Sequence, residues 1–524
     1  MSRKKPAALS PPAADKSHLI ALLLLAFYGL FLAHKINLVT ADLGRHLKNG
    51  EDFFKTFSPL RTNYYSYTEP DFPVINHHWG SGAVFYLVWK WAGFEGLHVF
   101  FAAVSLATLW LFFDGARREA GAGLSALAGL LVLPLLAERT EIRPEAISYF
   151  LFAAFFRLLL DYRSERMSFR GLLLLPVLEA LWVNVHIYFV FGPVLIGAFW
   201  LESWLARRRR PRDPGRLGGV LLLTAAAALL NPYGLKGALA PAEIFKNYGY
   251  RLVENQPVWF IEKLVHNPNF LIFKIVFALL CASFALSWRR GRANFSLAES
   301  ALGALFSAMA WLAIRNFTLF GFFALYLLAK NAEAAAPRFW AERRAVLRRL
   351  AAALLLVLIV LTAYGRLQAY LPYWREFGLG LEPGNGAAAE FFRREKIRGP
   401  IMNDYDIGGY LIFHLFPEHR VFVDNRPEAY SEDFFQKIYV PMQQDESVWR
   451  RLDERYRFNA IFFYRHDATP WGQAFLIRRV QDPEWIPVFV DLYTIILVRR
   501  APQNSGVIGA HGIPKSVFSV RKWQ

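Results

Sequence analysis

Long apolar stretches that alternate with short clusters of basic residues constrain this chain more than any other feature. Several stretches approach the roughly 20 residues with which an α-helix crosses the hydrocarbon core of a bilayer. Of the 524 residues, 55% are hydrophobic and 16% aromatic, a composition that soluble proteins of this length rarely have. The sequence therefore predicts a polytopic α-helical membrane protein.

The net charge of +18 is divided among clusters that lie between the apolar stretches. These clusters are Arg3 to Lys5, Arg117 and Arg118, Arg163 to Arg170, Arg207 to Arg210, Arg289 to Arg292, and Arg338 to Arg349. Because cytoplasmic loops of membrane proteins are enriched in arginine and lysine, each cluster is placed in the cytoplasm. No aromatic and basic groove motif accompanies the charge, so the expected partner is the lipid bilayer and not nucleic acid.

This charge distribution fixes the predicted path of the chain. The N-terminal tail (1–17) is cytoplasmic, and a transmembrane domain extends over 18–366. After the first span at 18–38, residues 39–94 form a first outer loop. The later spans are predicted near 95–114, 121–138, 144–160, 170–185, 187–205, 216–231, 270–288, 296–313, 315–330 and 347–366. About 11 spans result, and the C-terminal part lies outside the cytoplasm.

The stretch from Trp79 to Phe94 could be taken for a further span. As a span, it would move every later arginine cluster to the outer side. It is also short, and it carries Trp89, Lys90 and Trp91, which are aromatic and basic types typical of membrane interfaces. We therefore predict an outer juxtamembrane helix lying on the membrane surface.

Residues 367–500 differ from the rest, because charges of both signs mix and the apolar runs shorten to strand length. Alternating strand and helix patterns predict a small extracytoplasmic α/β domain. The predicted strands are Ile401–Met402, Val421–Val423, Ala460–Phe463 and Trp485–Val490. The predicted helices are Ala387–Arg394 and Ser447–Tyr456. Residues 501–524 are predicted to form a flexible tail.

Polar residues gather where the predicted helices reach the outer surface. Ionisable groups near membrane depth are costly, which makes them candidates for function. The candidates for a substrate site are Asp42, His46, His77, His78, Glu141, Arg143, Asn184, His186 and Arg315. Asp42 and His46 are four residues apart and share one face of a helix.

Several of these residues also have a purely structural interpretation. Asp42 could cap a helix over Leu43–Phe54, and Glu141 with Arg143 could form an ordinary ion pair at a helix start. The histidines could be interfacial. Arg315 lies between two apolar helices almost without a loop, where a guanidinium requires an anion, either a carboxylate or a substrate phosphate.

The motifs in these segments resemble one family. Asp42-x-x-x-His46, Ser66-Tyr67-Thr68 and His77-His78-Trp79-Gly80 are similar to the first outer loop of the C-type (GT-C) glycosyltransferases, in a poorly characterised bacterial branch. The matching segments further along are Arg143-Pro144-Glu145, Trp182-x-Asn184-x-His186, Asn231-Pro-Tyr-Gly, Asn403-Asp404-Tyr405-Asp406-x-Gly408-Gly409-Tyr410 and Asp424-x-Arg426. The resemblance covers most of residues 18–500.

The resemblance implies an enzyme of the bacterial cytoplasmic (inner) membrane. It would move a hexosyl or pentosyl group from a polyprenyl-phosphate-linked donor to a glycan, lipid or protein acceptor outside the cytoplasm. Asp42 takes the place of the acid that serves as general base or helps to hold a divalent ion. Arg143 or Arg315 would offset the charge of the leaving phosphate.

One departure from the family concerns a metal cofactor. Many members carry two adjacent acids in this loop, whereas Asp42 is followed by Leu43. A site for Mg²⁺ or Mn²⁺ would need His46 or Glu141 beside Asp42. The missing acid also leaves open an inactive relative that acts as a scaffold or binds lipid-linked glycans. A transporter is the third alternative, although few charges lie deep within the spans.

Overall fold

The computed structural model describes residues 17–205, 214–243, 248–250, 252–289, 295–365 and 376–519. Most of the predicted N-terminal tail lies outside the described residues. The basic clusters at Arg3 to Lys5 and Arg207 to Arg210, together with Arg290 and Arg292, also lie outside them. So do the first residues of the predicted C-terminal domain.

The described residues are mainly helical and contain one small sheet. The α-helices are α1 (Ser17–Leu32), α2 (Leu43–Thr56), α3 (Trp79–Ala120), α4 (Ala122–Leu136), α5 (Glu145–Arg163), α6 (Phe169–Leu172), α7 (Leu174–Trp182), α8 (Phe191–Leu205), α9 (Pro214–Ala227), α10 (Leu235–Glu243), α11 (Val258–Ile261), α12 (Asn269–Arg289), α13 (Leu297–Leu312), α14 (Phe317–Ala335), α15 (Pro337–Ala363), α16 (Ala387–Arg394), α17 (Gly408–Leu415), α18 (Val440–Gln444), α19 (Glu446–Tyr456), α20 (Gly472–Gln481) and α21 (Ser505–His511). The strands are β1 (Ile401–Asn403), β2 (Ala460–Tyr464), β3 (Trp485–Val490) and β4 (Thr494–Arg499).

Four helical segments of the described chain are long and apolar enough to cross a membrane. They are Trp79–Ala120, Ile187–Leu205, Asn269–Arg289 and Pro337–Ala363. Shorter apolar helices occur at His18–Leu32, Ala122–Leu136, Pro214–Ala227 and Leu297–Leu312. Leucines such as Leu222 and Leu271 are exposed on these helices, as expected of surfaces that face lipid. The helical membrane architecture is confirmed, while the number of about 11 spans remains a prediction.

Helix α3 is interrupted at Gly93. This residue has φ 66° and ψ −167°, which divides the helix into two segments. Glycine adopts positive φ without the steric cost that a side chain imposes. The interruption falls where the sequence predicts the boundary between a surface helix and a span.

The chain divides into two compact units. The first comprises Met1–Leu32, Leu106–Thr140 and Pro257–Trp374. Within it, α14 packs against α4, α12 and α13, and its side chains from Phe317 to Ala329 are buried. Two polar side chains of α14 bond inside the unit: Thr318 donates to the Leu135 carbonyl at 3.0 Å, and Asn331 donates to Ser283 at 3.1 Å.

The second unit comprises Ala33–Ser105, Glu141–Gln256 and Arg375–Gln524. It contains the first outer loop, a helical part in which α7 and α8 pack against α9, and the α/β region. The sheet has the order β1-β2-β4-β3. Strands β1 and β2 are parallel, and β4 is antiparallel to both of its neighbours.

Three of the four predicted strands are present, and the strand predicted at Val421–Val423 is not. The side-chain amide of Asn403 bonds to the backbone of this segment in place of a neighbouring strand. It donates to the Val423 carbonyl at 2.7 Å and accepts from the Phe422 N–H at 2.9 Å. Val421 instead forms an isolated parallel bridge with Ser66 of the first outer loop. The fourth strand of the sheet is β4, which the sequence did not predict.

Helices form where the sequence predicted a flexible tail. Residues Pro502–Asn504 and Lys515–Val517 are 3₁₀-helices that flank α21. Helix α21 packs against β3. The Ile513 N–H donates to the Pro487 carbonyl at 2.8 Å. The segment is thus hydrogen-bonded to the edge strand of the sheet.

Candidate functional site

Asp42 lies immediately before α2, which begins at Leu43 as predicted and extends to Thr56. Asp42 occupies the predicted N-cap position, but its side chain makes no capping hydrogen bond to the helix. One carboxylate oxygen, Oδ1, accepts a hydrogen bond from Asn425, and the other, Oδ2, lies 3.7 Å from Nη1 of Arg143. The carboxylate is thus held by side chains that are distant in sequence, and a quarter of the side chain remains exposed.

Arg143 is surrounded by three carboxylates. Besides Asp42, it contacts Glu141 at 2.8 Å and Glu254 at 3.4 Å. The predicted ion pair of Glu141 and Arg143 is confirmed, and the structure adds Glu254. Acids that are far apart in sequence therefore meet at one guanidinium, although Asp42 has no acidic neighbour along the chain.

A second guanidinium, that of Arg45, lies on the other side of Asp42. Arg45 is 5% exposed, and its Nε donates to the Asn425 Oδ1 at 3.0 Å. Its Nη2 is 4.0 Å from the Asp42 Oδ1. The cluster therefore places three carboxylates against two guanidinium groups, with an amide between Arg45 and Asp42.

The two guanidinium groups near Asp42 oppose the effect of its burial, whereas Glu254 and Glu141 add to that effect. Burial raises the pKa of the Asp42 carboxyl, while Arg143 and Arg45 lower it. Burial alone would lower the pKa of Arg143, but Glu141, Asp42 and Glu254 raise it well above its usual range. Arg143 is therefore permanently charged, and the Asp42 carboxylate is a stronger base than an exposed aspartate.

The four predicted histidines come together from three segments of the chain. The ring of His78 lies at the centre, with centroids 5.6 Å from His46, 4.7 Å from His77 and 5.0 Å from His186. Burial lowers the pKa of His46 and of His78 well below the usual range, and Arg45 adds to the effect at both rings. These two imidazoles are neutral at physiological pH.

Asn184 connects three segments of the second unit. Its Oδ1 accepts from the Trp79 indole at 3.0 Å, and its Nδ2 donates to the carbonyls of Ala180 and Leu230, each at 2.8 Å. Its backbone carbonyl accepts from the Gly80 N–H at 2.8 Å. These bonds describe a structural role, and a contact with substrate remains a prediction.

Arg315 belongs to the first compact unit, whereas the other predicted site residues belong to the second. It lies in the 3₁₀-helix Ile314–Asn316, directly before α14. Its contact with a substrate phosphate remains a prediction.

The proposed metal ligands do not form a coordination site. Asp42 and Glu141 both face Arg143, and the His46 ring packs against His78. In the part of the chain that the structure describes, no three histidine, cysteine or acidic side chains are placed to hold a metal ion. This arrangement does not fit Mg²⁺ or Mn²⁺, and we derive no step through a metal.

The acids of the α/β region fall into two groups. Asp424 and Arg426 form a buried bidentate pair with two hydrogen bonds of 2.7 Å, and Arg426 also donates to Asn63 at 2.9 Å. This pair connects the first outer loop to the α/β region. The second group contains Asp406 and Asp467. Burial is the largest cause and the charge of Asp467 the next largest, and together they raise the pKa of Asp406 to about 7.

Two glycines allow close approaches near Asp42, one between α2 and α17 and the other between α17 and Asp424. A Cβ on Gly44 would lie 2.9 Å from the Gly409 carbonyl oxygen. A Cβ on Gly408 would lie 2.4 Å from the Cα of Asp424. These close approaches explain why the Asn403–Tyr410 motif carries glycines at 408 and 409. They also bring Asn425 close to the start of α2.

Comparisons with known proteins agree with this architecture. No family model and no curated protein matches the chain. Among solved structures, the oligosaccharyltransferase AglB from Archaeoglobus fulgidus, in complex with an inhibitory peptide and a dolichol-phosphate, matches with a TM-score of 0.64 at 11% identity. The match covers 92% of this chain and 76% of that chain.

Two other glycosyltransferases are similar in structure. ArnT from Cupriavidus metallidurans, bound to undecaprenyl phosphate, matches with a TM-score of 0.54 at 13% identity over 94% of this chain and 99% of that chain. The arabinofuranosyltransferase AftD from Mycobacteria matches with a TM-score of 0.50 at 14% identity over 95% of this chain and 40% of its own. The chain therefore has the fold of the GT-C membrane glycosyltransferases, as the motifs indicated.

Proposed function

We propose that this protein is a membrane glycosyltransferase that uses a polyprenyl-phosphate-linked sugar and an extracytoplasmic acceptor, with Asp42 as the general base. The observation that carries the proposal is the position of Asp42. It is a partly exposed carboxylate with a raised pKa, placed between two guanidinium groups in a protein of the GT-C fold. Perturbed carboxyls of this kind are frequent at catalytic sites.

In the proposed reaction, an acceptor hydroxyl attacks the anomeric carbon of the donor sugar. Asp42 takes the hydroxyl proton while the new bond from oxygen to the anomeric carbon forms. The bond between that carbon and the phosphate oxygen breaks, and the polyprenyl phosphate leaves with the bonding electrons. Arg143 is the candidate in this unit to offset the charge on the leaving phosphate, because its guanidinium lies 3.7 Å from Asp42.

The class of donor is supported by two of the structural neighbours. AglB was solved with a dolichol-phosphate and ArnT with undecaprenyl phosphate, so both hold a polyprenyl-type phosphate lipid. We extend that donor class to this chain. The sugar is a hexosyl or pentosyl group, and the acceptor is a glycan, lipid or protein.

Replacement of Asp42 by asparagine tests the proposal. Membranes of the source cells lacking the native gene would supply the acceptor, and a panel of undecaprenyl-phosphate-linked sugars would serve as donors. We expect Asp42→Asn to reduce release of undecaprenyl phosphate by about 100-fold or more, since a general base contributes about that factor. The control is Asp52→Asn in α2, the helix that follows Asp42; the Asp52 carboxylate accepts from Tyr65 at 3.0 Å. Full activity in Asp42→Asn would exclude this role.

A non-catalytic protein that binds lipid-linked glycans is the second candidate. It is favoured by the missing paired acid of the first outer loop, since Leu43 follows Asp42. This candidate predicts saturable binding of undecaprenyl phosphate by the wild-type protein without turnover of any donor in the panel. Turnover that depends on Asp42 would contradict it.

A further inference from the structure

Asn425 is the single side chain that hydrogen-bonds to both Asp42 and Arg45 among the contacts described here. Its Nδ2 donates to the Asp42 carboxylate, and its Oδ1 accepts from the Arg45 Nε at 3.0 Å. An amide is suited to this position because it offers a donor and an acceptor on one rigid plane. The amide donor faces Asp42 and the amide acceptor faces Arg45, an arrangement that favours the ionised form of the carboxyl.

The position of Asn425 is fixed by its neighbours in the chain. Asp424 is fully buried, and Arg426 is 4% exposed. These two residues pair with one another through two hydrogen bonds of 2.7 Å. Residue 425 is therefore held between two anchored side chains, and its amide has little freedom to turn away from Asp42.

Gly409 leaves the space that the amide occupies. A Cβ at this position would lie 3.2 Å from Nδ2 and 3.5 Å from Oδ1 of Asn425, and 3.3 Å from the Ala41 carbonyl oxygen. The distances of 3.2 and 3.3 Å are shorter than ordinary van der Waals contacts, whereas the distance of 3.5 Å is an ordinary one. The glycine and the asparagine thus form one local arrangement around Asp42.

The amide keeps the guanidinium of Arg45 near Asp42 without a direct hydrogen bond. The Arg45 Nη2 is 4.0 Å from the Asp42 Oδ1, beyond hydrogen-bond distance, while its Nε is used by Asn425. A bidentate arginine pair would occupy the lone pairs of the carboxylate and make it a weaker base. A positive charge at 4 Å still favours the ionised form.

We infer that Asn425 is a positioning residue that holds the Asp42 carboxylate ionised, oriented and separated from Arg45. The inference rests on the proposed role of Asp42 as the general base. It makes the α/β region a structural part of the catalytic site, beyond any role in binding the acceptor. It also assigns a reason for the glycine at position 409.

The variant Asn425→Asp tests the inference through its pH dependence. The substitution removes the donor and places a second negative charge beside Asp42, so the pKa of Asp42 rises. We expect the acidic limb of the activity profile to move to higher pH by about one unit or more, with activity on that limb reduced about tenfold and recovered at pH values above it. Recovery at high pH shows that the variant is folded.

Two further variants complete the experiment. Gln436→Glu makes the same change of charge at an exposed side chain of the same region and is expected to leave the profile unchanged. Asn425→Ser removes the two-sided contact without adding charge, and we expect kcat to fall about tenfold with an unchanged KM for the donor.

The outcomes separate this inference from the proposed function. If Asp42→Asn keeps full activity, the proposed function fails. If Asp42→Asn is inactive while Asn425→Asp has the wild-type pH profile, or Asn425→Ser has full activity, the inference alone fails. Equal loss at every pH in Asn425→Asp, with an unchanged Tm, would indicate a packing role and would also overturn the inference.

Discussion

Arg143 lies at the centre of the acids contributed by three segments of the second unit. Its contacts with Asp42, Glu141 and Glu254 range from 2.8 to 3.7 Å. A guanidinium can serve three carboxylates because its five N–H donors spread over a plane, which a lysine cannot reproduce. The pKa of Asp42 therefore depends on the positive charge of Arg143, which Asp42 shares with Glu141 and Glu254.

The pH dependence of activity follows from this arrangement. A general base is active in its ionised form, and the pKa of Asp42 is raised by burial. The acidic limb of the wild-type profile should therefore lie above about 3.9, the usual value for aspartate. Because Arg143 lowers the pKa of Asp42, the variant Arg143→Gln should move the limb to still higher pH.

Rates of donor consumption between pH 4 and pH 9 would test this prediction. Arg420→Gln is the control, since Arg420 is an exposed arginine of the α/β region that lies over the ring of Tyr64. If the acidic limb of the activity profile stays in place when Arg143 is replaced, a group other than Asp42 titrates there.

At the residue scale, the sequence predicts the members of the site that belong to motifs. Asp42, Glu141 and the histidines could be selected because polar residues recur at the outer ends of predicted helices. Asn425 and Glu254 could not be selected, because each is a single polar residue without a motif. The contact of Asn425 with Asp42 spans 383 residues, and only the folded chain reveals such a pair.

At the scale of elements, the packing of α2 against α17 is the contact that closes the site. It depends on Gly44, because a Cβ there would lie 2.9 Å from the Gly409 carbonyl oxygen and 3.0 Å from Cβ of Phe413. Backbone and Cβ atoms cannot turn aside as the end of a side chain can. The two helices would have to separate to admit a methyl group.

The variant Gly44→Ala should therefore destabilise the protein despite the higher helix propensity of alanine. Overpacking of this kind costs about 1–3 kcal/mol, whereas the gain in propensity is about 1 kcal/mol. The measurement is the Tm of the purified protein in detergent. Gly29→Ala in α1 is the matched control, since a Cβ there has no neighbour within 4 Å. An equal or higher Tm for Gly44→Ala would contradict the prediction.

The sequence predicts elements well where local patterns are strong. Helix α16 has the predicted bounds, and α19 differs from its prediction by one residue. The prediction at Val421–Val423 is wrong because the side chain of Asn403 supplies the hydrogen bonds that a strand partner would supply. Local β propensity cannot reveal that a distant side chain replaces a strand.

At the scale of the whole molecule, the arginine clusters predict that the C-terminal part lies outside the cytoplasm. Single cysteines in a Cys281→Ala background would test this, since Cys281 is the only cysteine. A cysteine at Asp433, which is 68% exposed, should react with an impermeant maleimide in intact spheroplasts. A cysteine at Arg343, which is 45% exposed, should react only after permeabilisation. The reverse labelling pattern would show that the C-terminal part lies in the cytoplasm and would contradict the prediction.

The fold of the whole chain was accessible from sequence through motifs and charge distribution. The GT-C fold is confirmed at 11–14% identity to the solved structures. The number of spans is harder to obtain, because apolar helices such as α4 and α13 are shorter than a full bilayer crossing. Their ends are defined by packing and not by hydropathy.

The hydrogen bond between Asn425 and Asp42 also sets an order of events during synthesis. Residue 425 is made 383 residues after residue 42. At about 5–20 residues per second, roughly 20–80 seconds separate the two on the ribosome. Throughout this interval the nascent chain carries Asp42 and Arg45 without the amide that joins them. The environment of Asp42 is therefore completed only late in translation.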